Sequence, residues 1–193
     1  MPDAAFAILP FAAALALRDA IIDLAPKAAV ALKWPNDLLI GDRKVAGILL
    51  EGHTSHGRSG VAIGFGVNCA NHPASPGVLA TDLQDCGFAI DAETLFARLS
   101  TRLREEVLRL DATDAVPALL DRWRAHAYGM GRTATVRLFD REISGTFQSL
   151  APDGRLVLRQ ANGQTETIAV GDVFFPANGT ANKPAFEPEK AIL

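Results

Sequence analysis

Two lysines, an asparagine and an aspartate lie close together in a segment that also contains a tryptophan. The segment reads KWPND at residues 33–37, and Lys44 follows it, just before the apolar run VAGILLE. Ammonium and carboxylate groups of this kind can bind and orient a charged ligand. Surface loops rarely contain tryptophan, and core strands rarely contain two lysines and an Asn-Asp pair. The segment is therefore a candidate wall of a binding site.

A glycine-rich strand, VAIGFGVNCA at residues 61–70, adds a second candidate surface. At a period of two, one face is apolar, while the other carries only Ala62, Gly64, Gly66 and Asn68. Glycine weakens a strand interior and is typical of places where another group must approach the backbone closely. The bare face therefore predicts room for a ligand, with Asn68 as a hydrogen-bonding group at its end. Gly47, inside VAGIL, indicates either a ligand against the backbone or a β-bulge.

The elements that must position these residues can also be predicted. The segment AVALKW predicts a strand that Pro35 ends, and Trp34 is predicted to be a core residue rather than a stacking platform. LLI and VAGILLEGH predict a hairpin whose turn lies at residues 41–43, and residues 54–60 predict a second polar turn.

Three helices are predicted. The apolar run from residue 4 to residue 17 predicts a buried core helix with Pro10 at or near its first turn. This run is too short to cross a bilayer, which takes roughly 20 residues. Asp91 is the predicted N-cap of a second helix, and a third lies at about residues 114–126 and carries Trp123. Helical spacing places one apolar stripe on the second helix, formed by Leu95, Leu99, Leu103, Val107 and Leu110.

The pattern changes after residue 128, where four short alternating segments follow: TATVRLF, EISGTFQSL, RLVLRQ and TETIAV. They predict a small barrel-like β domain over residues 129–176. Residues 177–193 lack periodicity and are predicted to be disordered. The fold class is thus α+β, with a mixed sheet and helices in residues 1–128 followed by the β domain.

Composition excludes several classes of function. The net charge is −3 and the pI about 5.8, so nothing indicates binding to nucleic acid or to an anionic membrane. The two cysteines lack metal-ligand spacing and fit a reducing cytoplasm, and Cys69 on the apolar face is predicted to be a packing residue. His53 and His56 have no acidic companions, so no metal site is predicted.

These features, in this order, resemble the biotin protein ligases (biotin–[acetyl-CoA carboxylase] ligases). The matching segments are KWPND, KVAGILLE at residues 44–51 and GFGVN at residues 64–68, and the resemblance covers roughly residues 8–175. It implies a class II synthetase-like catalytic domain followed by an SH3-like barrel. The Gly-Arg-Gly-Arg loop of that family, which binds biotin and adenylate, is not found in these 193 residues. The resemblance therefore implies an N-terminally incomplete catalytic domain without a DNA-binding domain.

The resemblance also implies a reaction and its substrates. Biotin would react with ATP, in the presence of Mg²⁺, to give biotinyl-AMP, and the biotinyl group would pass to a lysine of an acceptor protein such as the acetyl-CoA carboxylase carrier subunit. Both steps develop negative charge around a phosphate, which positioned cations stabilise. The implied catalytic residues are Lys44 at the carboxylate and α-phosphate, Lys33 near the nucleotide or the acceptor lysine, and Asp37 orienting the acceptor amine or holding Mg²⁺.

The implied substrate-binding residues extend over three segments, and simpler interpretations of some remain open. Lys44 could be a solvated residue at the end of a hairpin, Lys33 could extend from a strand edge into solvent, and Asn36 and Asp37 could form an Asx turn. The substrate-binding set is Asn36, Lys44, Gly47, Ile48, Leu49, Gly64, Gly66 and Asn68.

Three further expectations follow from the resemblance. Without the Gly-Arg-Gly-Arg loop, the isolated chain is predicted to have strongly reduced or no ligase activity, because a lost donor to developing charge costs roughly 2.7–4 kcal/mol. The alternatives are a non-catalytic module that binds an acceptor protein or adenylate, and a relative of the lipoate or octanoyl ligases. A homodimer formed through sheet edges is compatible with the family.

Overall fold

The computed structural model describes residues 3–56, 58–74 and 79–176. They form three helices and two antiparallel sheets. The helices are α1 (Asp3–Leu24), α2 (Ala92–Arg109) and α3 (Ala115–Ala125). The strands of the first sheet are β1 (Val30–Lys33), β2 (Asp37–Ile40), β3 (Arg43–Ser55) and β4 (Arg58–Val67).

Helix α1 forms the centre of the first domain. All residues from 11 to 17 are buried, and the helix packs against α2, α3 and the first sheet. The predicted core helix is confirmed, but the position of Pro10 was wrong, since the helix begins at Asp3 and Pro10 lies in its interior. The N–H that Pro10 lacks removes one helical hydrogen bond, a loss that burial of the surrounding apolar side chains offsets. Within the described ranges, no helix is long and apolar enough to span a membrane.

The first sheet has the strand order β1-β2-β3-β4, and every neighbouring pair is antiparallel. The predicted hairpin between β2 and β3 is confirmed, and Gly41 supplies its positive φ of 62°. The second polar turn was predicted too long. Strands β3 and β4 pair as far as Ser55 and Arg58, and a hydrogen bond of 3.0 Å between the Thr54 and Ser59 hydroxyls joins the two strands near that end.

Helices α2 and α3 cover α1. The predicted N-cap of α2 is confirmed, because Asp91 accepts hydrogen bonds from the backbone and the hydroxyl of Thr94 at 2.8 and 2.7 Å. Four of the five residues of the predicted apolar stripe on α2 belong to the core or pack against it, namely Leu95, Leu99, Leu103 and Leu110. Trp123 of α3 is buried and meets the ring of Phe11 edge-on, with ring centroids 5.4 Å apart. Glu106 is also buried, although the spacing of α2 had placed its charges outside.

The C-terminal region forms a five-stranded sheet with the order β8-β7-β6-β5-β9. Four strands were predicted; β9 was missed because its three residues are too few to show alternation. Among the described residues, β8 and β9 each pair on one side only, so the sheet is not a closed barrel there. The tail at 177–193 lies outside the described residues. The strands are β5 (Thr133–Arg137), β6 (Glu142–Leu150), β7 (Leu156–Arg159), β8 (Thr165–Ile168) and β9 (Asp172–Phe174).

A tight contact joins the two sheets through Trp34, which is buried as predicted. Its indole N–H donates to the Gly154 carbonyl oxygen at 3.1 Å, across the interface. Gly154 has a φ of 82° and lies against the Phe11 ring, where a Cβ atom would come within 2.5 Å of Phe11 Cε2. This turn between β6 and β7 therefore requires glycine both for its backbone conformation and for its packing.

Candidate active site

A cleft of about 630 Å³ lies on the open face of the first sheet, between that sheet and β9. Nine of the ten residues predicted to bind substrate or take part in catalysis line this cleft, and Asn68 does not. The nine are Lys33, Asn36, Asp37, Lys44, Gly47, Ile48, Leu49, Gly64 and Gly66.

The floor of the cleft is a row of directly paired residues across all four strands. Lys33 pairs with Asp37, Asp37 with Gly47, and Gly47 with Gly66. Residues opposite each other in an antiparallel sheet have side chains on the same face. The row therefore presents two charged side chains at one end and two glycines at the other.

A β-bulge brings Lys44 to the same face. Leu38 pairs with Ala46 and Leu39 with Lys44, so Val45 is the extra residue on β3. In a regular strand, residues three positions apart point to opposite faces, and Lys44 would face away from Gly47. The extra residue in the bulge shifts this alternation by one position, so the Lys44 side chain and Gly47 lie on the same face of the sheet. As a result, Lys44 Nζ lies 2.5 Å from Asp37 Oδ1.

Glycine at position 47 leaves space for this ion pair. A Cβ atom there would lie 3.2 Å from Lys44 Nζ and 3.4 Å from Asp37 Oδ1. At Gly64 and Gly66, by contrast, a Cβ atom would meet only a backbone carbonyl of β3, at 3.6 and 3.8 Å. The space above these two glycines is open to a ligand, whereas the space above Gly47 is shared with the lysine and the carboxylate.

The charges in the cleft are closely coupled. Burial lowers the pKa of Lys33, the nearby Asp37 carboxylate opposes this shift, and the Lys44 ammonium adds to it. Asp172, which reaches the cleft from β9, also raises the pKa of Lys33. Two ammonium groups thus face two carboxylates. An anionic ligand that entered the cleft could replace Asp37 as the partner of Lys44.

The two predicted asparagines have structural roles in the chain itself. The Asn36 side chain donates to the Ile48 carbonyl at 2.7 Å, and the Ile48 N–H donates to the Asn36 carbonyl at 2.9 Å. The Asn68 side chain donates to the Thr81 carbonyl at 2.8 Å. Asn36 thus fixes the start of β2 against β3 beside the cleft, and Asn68 binds a neighbouring segment instead.

Sequence reasoning missed Asp172 and Val173, which form the opposite wall of the cleft. Both lie on β9, whose pairing with Thr135, Val136 and Arg137 of β5 brings them there. The sequence near position 172 contains only a Gly-Asp pair between short apolar pieces, which is an ordinary turn signal. Only the packing of the second sheet against the first shows that the carboxylate faces the cleft.

Comparison with known proteins gives concordant results. Residues 7–68 match the Biotin/lipoate A/B protein ligase family, and residues 129–175 match the Biotin protein ligase C terminal domain. The biotin–[acetyl-CoA-carboxylase] ligase of Paracoccus denitrificans is 36% identical over 181 residues, which covers 89% of this chain and 74% of that protein. The enzyme of the same name from Mycobacterium tuberculosis is 32% identical over 177 residues, covering 90% and 64%.

Solved structures have the same fold. The biotin protein ligase from Aquifex aeolicus in complex with biotin and ATP aligns with a TM-score of 0.72 at 20% identity, over 87% of this chain and 70% of that one. The α+β fold expected from the sequence is thereby confirmed. The sequence identity of 36% to the Paracoccus protein, which extends over most of both sequences, shows that this chain belongs to the biotin protein ligase family.

Proposed function

We propose that this chain carries the adenylate-binding cleft of an ATP-dependent biotin ligase. The observation that supports this most is the bulge that brings Lys44 over a glycine floor beside Asp37. A cation held next to open space for a ligand suits a reaction in which a carboxylate and a phosphate, both anionic, must be brought together. The similar Aquifex structure holds biotin and ATP, and the curated relatives are named as biotin ligases.

In the first step, a biotin carboxylate oxygen attacks the α-phosphorus of ATP, and pyrophosphate leaves. The negative charge that develops at the phosphate attracts the Lys44 ammonium away from Asp37. Because the Lys44 side chain is 39% exposed, this exchange of partners requires little desolvation. Lys33, partly buried on the neighbouring strand, adds a second positive charge at the same end of the cleft.

In the second step, the amine of an acceptor lysine attacks the biotinyl carbonyl carbon, and AMP leaves. The Asp37 carboxylate, released from Lys44 in the first step, becomes available to orient the acceptor amine and to accept the proton that its nitrogen loses as the amide bond forms. The same two residues can therefore serve both steps through one exchange of ion-pair partners.

Magnesium would enter as part of the substrate Mg·ATP. The acidic side chains that line the cleft in the described part of the chain are Asp37, which is ion-paired with Lys44, and Asp172. Magnesium in nucleotide sites is commonly held by one or two carboxylates together with substrate phosphates. Asp172 is the better placed of the two to contribute, because Asp37 already forms the ion pair with Lys44.

The acceptor would be the biotin-carrier subunit of acetyl-CoA carboxylase, in the cytoplasm. The names of the Paracoccus and Mycobacterium relatives support this acceptor. They also favour biotin over lipoate or octanoate, which the broader family description includes. A homodimer formed through sheet edges stays a prediction.

The test is transfer of biotin to a purified biotin-acceptor domain with Mg·ATP, read by intact mass. Lys44→Ala is expected to abolish transfer, and Lys27→Ala, which removes an exposed lysine after α1, is expected to have no effect. Lipoate and octanoate are offered in parallel. Transfer of either in preference to biotin would contradict the biotin assignment, and transfer unaffected by Lys44→Ala would contradict the role of the cleft.

A second arm tests the predicted weakness of the isolated chain. The N-terminal segment of the Paracoccus relative, fused ahead of residue 1, is expected to raise the transfer rate well above that of the 193 residues alone. Equal rates would show that the chain needs no such segment. A chain that binds a biotinyl-adenylate analogue but transfers nothing in either form would instead be the non-catalytic module.

A further inference from the structure

Tyr128 lies where the first domain meets the C-terminal domain, between the end of α3 and the start of β5. Its main chain is joined to β1. The Tyr128 N–H donates to the Leu32 carbonyl at 2.7 Å, and the Leu32 N–H donates to the His126 carbonyl at 2.8 Å. Leu32 directly precedes Lys33. The backbone of Tyr128 is therefore fixed against the strand that carries one of the two cleft lysines.

The Tyr128 hydroxyl reaches the turn between β2 and β3. It donates to Asp42 Oδ1 at 2.7 Å, and Asp42 lies two residues before Lys44. Burial and the hydrogen bond with Asp42 raise the pKa of Tyr128, so the hydroxyl keeps its proton and acts as the donor at neutral pH. Residues 41–43 of the turn are exposed. The hydrogen bond from Tyr128 thus ties an exposed turn to the body of the protein.

The Tyr128 ring contacts the end of the opposite cleft wall. It meets the ring of Phe175 edge-on, with centroids 5.1 Å apart and an interplanar angle of 87°. Phe175 follows β9, the strand that carries Asp172. A Cβ atom at Gly129 would lie 2.1 Å from Phe175 Cε1, so the Phe175 ring packs directly on the backbone beside Tyr128. The Arg132 guanidinium carbon lies 5.1 Å from the Tyr128 centroid and 5.5 Å from that of Phe175, an arrangement that adds cation–π attraction.

We propose that Tyr128 is a positioning residue that fixes Lys44 relative to the β9 wall of the cleft. Each of the three elements that it contacts leads to a charged group of the cleft: β1 to Lys33, the β2–β3 turn to Lys44, and β9 to Asp172. Tyr128 itself does not line the cleft, so it acts through these groups. This proposal rests on the proposed function of Lys44. Without the hydroxyl, the turn moves independently of β9, and Lys44 takes a wider range of positions opposite the phosphate.

The first measurement is ¹⁵N relaxation of the backbone amides in the turn, without ligand. Tyr128→Phe keeps the ring but removes the hydrogen bond, and the order parameters at residues 41–43 are expected to fall from about 0.85 toward about 0.6. Asp42→Ala should lower them equally, whereas Asp42→Asn keeps an accepting oxygen and should preserve them. Asp140→Ala, in the exposed turn between β5 and β6, is the matched control and should change nothing at residues 41–43. Order parameters unchanged in both Tyr128→Phe and Asp42→Ala would overturn the proposal.

The second measurement is the affinity for a stable biotinyl-adenylate analogue in a double-mutant cycle with Lys44→Ala. The Lys44 backbone is also hydrogen-bonded to residues 79 and 81, so loosening the turn should shift the lysine rather than remove it from the cleft. Tyr128→Phe is therefore expected to weaken binding about 3- to 10-fold in the natural chain and less than about twofold when residue 44 is already alanine. Equal weakening in both backgrounds would indicate a general loss of structure and would overturn the proposal.

The two measurements separate the failure of this proposal from the failure of the proposed function. If the natural chain binds no analogue, the proposed function fails and the positioning role falls with it. If the natural chain binds the analogue and Tyr128→Phe binds it equally well, the proposed function stands and this proposal alone is wrong. If Tyr128→Phe does not fold, as judged by circular dichroism, Asp42→Ala removes the same hydrogen bond from an exposed turn and takes its place in both measurements.

Discussion

Replacing Gly47 with alanine should separate the catalytic geometry from the stability of the fold. The new Cβ atom would lie 3.2 Å from Lys44 Nζ and 3.3 Å from Lys44 Cε, whereas ordinary contacts begin at about 3.4 Å. The end of the lysine side chain must therefore move by a few tenths of an ångström. It can do so, because the Lys44 side chain is 39% exposed and flexible.

The effect on stability should be small. Alanine in a strand interior gains about 0.5–1 kcal/mol over glycine, and disturbing a partly exposed ion pair loses about 0–1 kcal/mol. These contributions offset each other to within about 1 kcal/mol. The effect on the first chemical step should be larger, since a shift of 1 Å in a catalytic group can reduce a rate by about 100-fold. A shift of a few tenths of an ångström is expected to reduce it by about 3- to 10-fold.

The assay is biotin-dependent release of pyrophosphate from Mg·ATP by the chain fused to the N-terminal segment of the Paracoccus relative, because the isolated chain is predicted to have little activity. Urea denaturation is measured beside it. Gly52→Ala is the matched control, because Gly52 lies on the same strand and an added Cβ atom there would have no neighbour within 4 Å. The reasoning would be refuted if Gly47→Ala released pyrophosphate as fast as Gly52→Ala. It would also be refuted if Gly47→Ala lost its activity only through a large fall in the free energy of unfolding.

Three further predictions concern the contacts that support the cleft. Trp34→Phe removes the hydrogen bond to the buried Gly154 carbonyl and should lower the free energy of unfolding by about 1–2 kcal/mol in urea denaturation. An unchanged free energy of unfolding would show that this hydrogen bond contributes nothing. Glu106→Gln weakens the buried contacts with two partly exposed arginines and should cost about 1–3 kcal/mol in the same assay; a more stable variant would contradict this estimate. The hydrogen bond with His72 lowers the pKa of Asp82, so the folded state binds fewer protons than the unfolded state near that pH. The resulting stabilisation is present above the unfolded pKa of about 3.9 and is lost as the pH falls through the lower folded pKa. Asp82→Asn should therefore show a weaker loss of stability below about pH 4, measured as melting temperature against pH, and an unchanged acid slope would contradict the assignment.

The floor of the cleft could be predicted from the sequence because a strand alternates its side chains at a period of two. Gly64 and Gly66 face the open side as that period requires, and Trp34, beside Pro35, is in the core as its residue type indicates. The N-cap at Asp91 was predicted on equally local grounds. These features depend only on neighbours within a few residues along the chain.

The remaining features depend on contacts between distant parts of the chain. The bulge that turns Lys44 toward Asp37 is hydrogen-bonded to the backbone of residues 79–81, whose sequence gave no such signal. Asn68 follows the pattern of the bare strand face, yet its amide binds the Thr81 carbonyl because β4 has already ended. Asp172 reaches the cleft only through the packing of one sheet on the other.

The most direct test of the account is to locate a bound adenylate. A biotinyl-adenylate analogue with a stable sulfamate in place of the phosphate would be titrated into the isotope-labelled chain, and backbone amide shifts would be recorded by NMR. The account predicts that the largest shifts occur at the cleft, at residues 33, 36–37, 47–49 and 64–66. Absence of binding, or shifts centred on the cavity between α2 and α3 around Glu106, would contradict it.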